Sequence, residues 1–143
     1  MIQLYHVYKR YPNGVEALND VNLRLHESEF VFLSGPSGAG KTTLVKILLG
    51  YERPTSGQVL VNGRNLAVLS EGSIPYLRRN IGVVWQDFKL LNSRTVFDNV
   101  SISLEILGLR PKEIQRRVTQ ILEVVGLESY ATARPQMLSG GEQ

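Results

Sequence analysis

Gly35-Pro36-Ser37-Gly38-Ala39-Gly40-Lys41-Thr42 follows the apolar run Phe30-Val31-Phe32-Leu33-Ser34 and leads into Thr43-Leu44-Val45-Lys46-Ile47-Leu48-Leu49. That order is the most constraining feature of the chain. The pattern G-x-x-x-x-G-K-[ST] makes a phosphate loop only between a strand and a helix. The expected elements are a buried parallel strand over 30–34 and a helix from Thr42 to Leu49, with Gly50 at its C′ position. Glycines let backbone N–H groups curl around an anion, and the open first turn of the helix adds further N–H groups and its dipole. Lys41 would bring a point charge to the outer phosphates. The Thr42 hydroxyl suits magnesium, a hard cation that takes oxygen ligands.

Composition excludes several other chemistries. The chain has no cysteine and only two histidines, His6 and His26, so disulfides, thiol catalysis and a histidine metal cluster are ruled out. The net charge is +3 and the pI about 9.3. This excess is mild and scattered, whereas nucleic-acid binding calls for a concentrated basic face, so no nucleic-acid partner is expected. The basic doublets Lys9-Arg10, Arg78-Arg79 and Arg116-Arg117 read as solvated surface. No apolar run is long enough to span a bilayer, and the start lacks a signal-peptide pattern. With 43% hydrophobic residues in 143, there is material for one domain with a core.

Two kinds of periodicity divide the chain. Alternation dominates from Met1 to Ser34, with Ile2, Leu4 and His6 expected on one side and Val21, Leu23 and Leu25 repeating the pattern around a turn at Tyr11-Pro12-Asn13-Gly14. Residues 57–63 read as another strand, and Ile81-Gly82-Val83-Val84-Trp85 as a further candidate for the core sheet. From Thr95 the spacing becomes helical. Thr95 and Asp98 form a possible capping box ahead of Val96, Phe97, Val100, Leu104 and Leu107. Pro111 opens a second helix with the stripe Ile114, Val118, Ile121, Leu122 and Val125, ended by Gly126. Ser139-Gly140-Gly141-Glu142 has the S-x-x-E form of a helix N-terminus, which aims N–H groups and a hydroxyl at an anion.

Tyr11 in an early turn, the loop at 35–42, Gln86 after an apolar stretch, a helical segment and then Leu138-Ser139-Gly140-Gly141-Glu142-Gln143 together resemble the nucleotide-binding subunit of an ATP-binding cassette (ABC) transporter. The resemblance covers the whole chain. It implies an α/β P-loop NTPase fold of ABC type, with an antiparallel β subdomain and an α-helical subdomain. The division expected is 1–86 for the β subdomain and phosphate-loop core and 87–143 for the helical subdomain up to the signature motif. Within the family, Ile74 to Leu91 and Arg94 to Val100 are similar to the FtsE-type, cell-division branch, and share much with lipoprotein-releasing and macrolide-efflux ATPases.

Carried onto these positions, the resemblance implies ATP and Mg2+ as ligands. Tyr11 would stack on adenine. Gly35, Pro36, Ser37, Gly38, Ala39, Gly40, Lys41, Thr42 and Thr43 would hold the phosphates. Lys41 and Gln86 would serve catalysis, with Thr42 and Gln86 at the metal. Gln86 would orient the attacking water through its amide oxygen rather than act as a strong base. Ser139, Gly140, Gly141, Glu142 and Gln143 would close over the ATP of a second copy in a head-to-tail homodimer. An FtsX-like membrane subunit would dock near Gln86 to Leu91, placing the protein peripherally at the cytoplasmic face of the cell membrane.

The family's later magnesium Asp, water-polarising Glu and γ-phosphate His are not among these residues. The C-terminal part of the core is therefore expected to be missing, and the 143-residue chain alone to be inactive. Two other readings stay in view. A non-catalytic nucleotide-binding module would sense ATP without cleaving it. A DNA-repair or chromosome-organising ATPase would need a long coiled-coil insertion between Gln86 and Leu138, and no sustained heptad is present there.

Overall fold

The alternating start forms a hairpin. Strands β1 (Ile2–Arg10) and β2 (Glu16–Leu25) pair antiparallel across Tyr11-Pro12-Asn13-Gly14, where the Tyr11 N–H donates to Val15 O and the Gly14 N–H to Tyr11 O, both at 2.9 Å. The computed structural model describes residues 1–143 and divides into two units, Met1–Val83 and Val84–Gln143. In the first, β3 (Ser56–Val61) lies antiparallel to the other side of β1 and turns through Asn62-Gly63 into the short β4 (Arg64–Asn65). Asn62 and Gly63 have φ of 48° and 75°, the two positive values that a two-residue type I′ hairpin needs. The strand order is β2-β1-β3-β4.

His6 does not share a face with Leu4. The register slips between Leu4 and Val7, so these two residues, three apart, are both buried and His6 is turned outward. Its φ is 46°, its Nδ1 lies 2.7 Å from Asp20 Oδ1, and its N–H donates to Asn22 Oδ1 at 2.8 Å. A bulge of this kind re-aims side chains by inserting a residue into one strand. Gly57 faces it with φ of 89°, and a Cβ there would stand 2.2 Å from His6 O, so only glycine lets β3 approach.

Helix α1 (Lys41–Leu48) begins one residue before the expected start and buries Leu44 and Ile47 among Leu4, Val7, Leu18, Val59, Val61, Leu66 and Leu77. Gly50 closes it as anticipated. Its N–H donates to Ile47 O at 2.9 Å, and the Tyr51 N–H donates to Lys46 O at 2.8 Å, the paired bonds of a Schellman motif. Arg78, at the end of α2 (Ile74–Arg78), reaches back to donate from Nε to Leu49 O at 2.9 Å and from Nη2 to Gly50 O at 3.2 Å, while its guanidinium lies 3.7 Å from the Tyr51 ring centre. A cation is favoured there by the α1 dipole. The expectation of three solvated basic doublets is thus corrected: Arg78 caps α1, and Lys9 is largely buried in an ion pair with Glu52. Only Arg116-Arg117 keeps both members substantially exposed and on one helix, where both pair with Glu113.

Two expected strands do not form. Residues 30–34 and 81–85 have no ladder partner, and Phe30, Phe32 and Val84 are 85%, 83% and 95% exposed. Neither segment pairs with an edge strand of the sheet, β2 or β4, and a strand without a neighbour has nothing to bond its N–H and C=O groups. The rings of Phe30 and Phe32 meet edge to face at 5.0 Å.

The second unit is helical. Helix α3 (Val96–Ile106) starts at the expected capping box, with the Asp98 N–H donating to Thr95 Oγ1 and the Thr95 N–H to Asp98 Oδ2, each at 3.1 Å. Helix α4 (Pro111–Val124) packs Ile114, Val118 and Leu122 against Val96 and Leu138. From the expected stripe, Ile121 and Val125 remain exposed. Gly108 and Gly126 end α3 and α4 with the same bond pair as Gly50 ends α1.

Glu113 sits in the first turn of α4, and its hydrogen bonds from Arg116 and Arg117 lower its pKa to about 2. Its folded-state value is depressed, so its contribution to α4 is present above the ordinary glutamate pKa and fades as pH falls toward 2. A carboxyl 13C titration should place the Glu113 midpoint near that lower value. A midpoint in the ordinary glutamate range would show that both arginines leave it to solvent.

Candidate nucleotide-binding site

Helix α1 begins without a cap. Its N-cap residue is Gly40, no side chain bonds its first-turn N–H groups, and no acidic residue lies in that turn. Helix α3, by contrast, satisfies its own start with Thr95 and Asp98. An eight-residue helix left open this way presents backbone donors and positive potential to an anion. The loop before it is exposed from Gly35 to Ala39, with the Ala39 N–H donating to Pro36 O at 3.3 Å. The Lys41 ammonium donates to Gly35 O at 2.6 Å and Pro36 O at 2.7 Å, which holds its charge on the rim of the loop. Thr42 is exposed at the second position of α1, where its hydroxyl oxygen fits a hard cation.

Gly40 fixes where this loop sits. Its φ is 86°, and a Cβ on it would lie 2.1 Å from Ala17 O of β2, so the loop closes onto the sheet at a point no other residue could occupy. The sheet also supplies an aromatic ring. Tyr11, at the hairpin turn, has its hydroxyl 3.3 Å from Thr43 Oγ1 on α1. Tyr11, the 35–42 loop and Thr43 are thereby gathered in one unit.

The remaining candidates lie in the second unit. Gln86 is exposed just after its start, in a turn where the Phe88 N–H donates to Trp85 O at 3.1 Å. Phe88 and Lys89 both have positive φ, 54° and 55°, and the Phe88 ring is 42% exposed. Asp87 pairs with Lys89 at 2.5 Å, which holds its carboxyl below its ordinary pKa. Asn99 of α3 clamps the far end of this segment: the Leu91 N–H donates to Asn99 Oδ1 at 2.7 Å, and Asn99 Nδ2 donates to Leu91 O at 3.1 Å.

At 139–143, Leu138 is buried, and the Glu142 and Gln143 N–H groups both donate to Ser139 O at 3.0 Å, the bonds of a first helical turn. Glu142 Oε2 accepts from the Ser139 N–H at 2.8 Å, the carboxylate half of a capping box. The Ser139 hydroxyl donates to the same carboxylate at 2.7 Å, where the expected motif has it accepting from the backbone. Both bonds hold the Glu142 pKa below its ordinary value.

An open helix start after a glycine loop that carries a lysine, beside a tyrosine fixed by the same helix, matches a known family. The family model described as ABC transporter matches residues 18–143. The chain belongs to that family. It is 51% identical over its full length to the cell division ATP-binding protein FtsE of Bacillus subtilis, and spans 63% of that relative. It is 44% identical to the methionine import ATP-binding protein MetN of Photorhabdus laumondii, again over its full length and 43% of the relative. A dimeric ATP-binding cassette in a post-hydrolysis state with ADP and Pi superposes with a TM-score of 0.89 at 34% identity, over 99% of this chain and 65% of that one. The ABC-type α/β fold expected from the sequence therefore stands, with its antiparallel sheet and helical part in place.

Sequence reasoning passed over two residues that hold the candidates in position. Asn99 appeared only within a longer motif, although an Asn one turn into a helix and next to a loop is a common backbone clamp. Thr43 was read as a phosphate ligand and not as the partner of Tyr11.

Gly38 and Gly40 share nearly the same φ, 84° and 86°, but Gly38 has open space around it. Gly38→Ala should cost only the left-handed strain of about 1–2 kcal/mol. Gly40→Ala should cost clearly more, because it must also push β2 away, and it should weaken nucleotide binding further. Equal costs in urea unfolding would show that the Ala17 contact does not constrain the loop.

Proposed function

We propose that this chain is the nucleotide-binding part of an ATPase subunit that couples ATP binding and hydrolysis to a membrane partner in cell division. The 51% identity to FtsE across every residue of the chain carries this reading. The phosphate loop and the open start of α1 would hold the phosphates, Lys41 would turn from the loop carbonyls to the outer phosphates, and Thr42 with Gln86 would hold magnesium. The ion would neutralise charge developing on the transferred phosphoryl group. The Tyr11 ring would carry the adenine. Ser139 to Gln143 would present the first-turn N–H groups to the nucleotide of a second copy in a head-to-tail homodimer, the arrangement consistent with a dimeric solved relative. Residues 1–143 by themselves would bind nucleotide weakly, or fold poorly, and would not turn it over.

The segment from Gln86 to Leu91 would meet an FtsX-like membrane subunit. Its support is an exposed aromatic on a turn with two consecutive left-handed residues, tied down at one end by Asn99. Backbone strain of this kind persists where surrounding structure over-determines it, and such sites are commonly functional. No helix of the chain is long and apolar enough to cross a membrane, and the attachment proposed is peripheral, through that subunit.

The identity to MetN supports a second reading, an importer subunit for a small solute. Depleting the protein from its own cell separates the two. Filamentation or failed septation that wild-type protein rescues, and Lys41→Ala protein does not, is the expected result. Normal division with a growth requirement for methionine would favour the importer.

Phe88→Ala should leave ATP binding intact and reduce recovery of the membrane subunit on co-purification by about tenfold, as expected for an aromatic anchor worth 1–2 kcal/mol. Undiminished recovery with folded variant would remove this segment from the interface.

A further inference from the structure

Lys9 lies near the end of β1, two residues before Tyr11, and its side chain is only 13% exposed. Its ammonium is held on two sides, by the Glu52 carboxylate at 2.8 Å and by the Arg53 carbonyl at 2.9 Å. The same ammonium stands 5.0 Å from the centre of the Tyr11 ring, within range of a cation–π contact. The ring's hydroxyl is engaged separately by Thr43 in the first turn of α1.

The anchors of Lys9 are themselves fixed. Glu52 and Arg53 follow directly on the Schellman closure of α1 at Gly50 and Tyr51. The segment is then stitched to β1: the Thr55 N–H donates to Tyr8 O at 2.8 Å, and the Arg10 N–H donates to Thr55 Oγ1 at 2.9 Å. The Tyr11 ring is therefore restrained from both ends of the phosphate-loop helix, through Thr43 at its start and through Glu52 and Lys9 at its finish. A lone tyrosine on an exposed turn would have to give up rotamer freedom on stacking, which weakens binding.

We propose that Lys9 is a positioning residue for the nucleobase: its immobilised ammonium backs one face of the Tyr11 ring and leaves the other as the platform for a purine. This rests on the stacking role proposed for Tyr11. It makes base recognition depend on an ion pair in the loop that follows α1, while phosphate recognition depends on the loop that precedes it.

Calorimetric titration of the protein as its cell makes it, with ATP and with inorganic tripolyphosphate, separates the two dependences. Lys9→Met keeps the aliphatic stem and removes the charge. It should weaken ATP binding about three- to tenfold and leave tripolyphosphate binding unchanged. Lys9→Arg should preserve the preference for ATP, because a guanidinium also pairs with carboxylates and lies on aromatic faces. Equal weakening toward both ligands would reduce Lys9 to a fold-stabilising residue and overturn the proposal. If Lys9→Met does not fold, Glu52→Gln loosens the ammonium in place and should lower the ATP preference in the same direction; an unchanged preference there overturns it too. Tyr11→Ala tells the two levels apart. If it abolishes the preference while Lys9→Met does not, the positioning role alone is wrong. If Tyr11→Ala leaves the preference intact, the stacking role fails.

Discussion

The close approach of Gly40 to the Ala17 carbonyl is the contact on which the rest of the first unit depends. It places the open end of α1 against the start of β2, just after the hairpin turn. From that point Leu44 and Ile47 reach the sheet's core and Thr43 reaches the Tyr11 hydroxyl. A side chain at residue 40 would lift the helix start away from the sheet and separate the loop from the tyrosine in one step. The residue with the least chemistry of its own thereby decides whether the chemical residues meet.

The far end of α1 is held by different means with the same outcome. Its last carbonyls are taken by Gly50 and Tyr51 N–H groups and by the Arg78 guanidinium, so the negative end of the helix is paired within the protein while the positive end is left open. This asymmetry is what an anion-binding helix requires. Neutralising the C-terminus locally leaves the N-terminal donors as the unpaired partial charge, and their cost of exposure is repaid only when an anion arrives.

Much of this was legible in the residues. The loop, the helix with Gly50 behind it, the turn at 11–14, the Thr95–Asp98 capping box and the Pro111-to-Gly126 helix all rest on local rules, and locally determined features survive in the structure. Features needing a partner elsewhere in the chain were not legible. His6 left the expected face because a bulge depends on which residues β2 and β3 set opposite it, and Gly57 reveals that only once its neighbour is known. Lys9 and Arg78 read as surface charge because a doublet in sequence carries no sign of the carbonyls or the carboxylate waiting for one of its members. The strand over 30–34 failed for the converse reason: its composition specifies burial, but a ladder is a property of two strands.

That last disagreement bears on how the loop is held. The segment leading into Gly35 exposes Phe30 and Phe32 almost fully, although its composition fits a site buried on both faces. Local preference and tertiary setting conflict there, and an exposed apolar patch of this kind commonly marks an interaction surface. The phosphate loop is thus anchored firmly on one side only. The Lys41 ammonium and the Ala39 N–H hold Gly35 and Pro36 from within the loop, while the contacts that tie it to the rest of the unit, Gly40 on Ala17, Leu44 and Ile47 in the core and Arg78 at the helix end, lie on or after its second half. Lys41, Thr42, Thr43 and the tyrosine whose hydroxyl Thr43 meets all belong to that anchored side. The proposed binding groups therefore keep their mutual geometry without help from the exposed 30–34 segment.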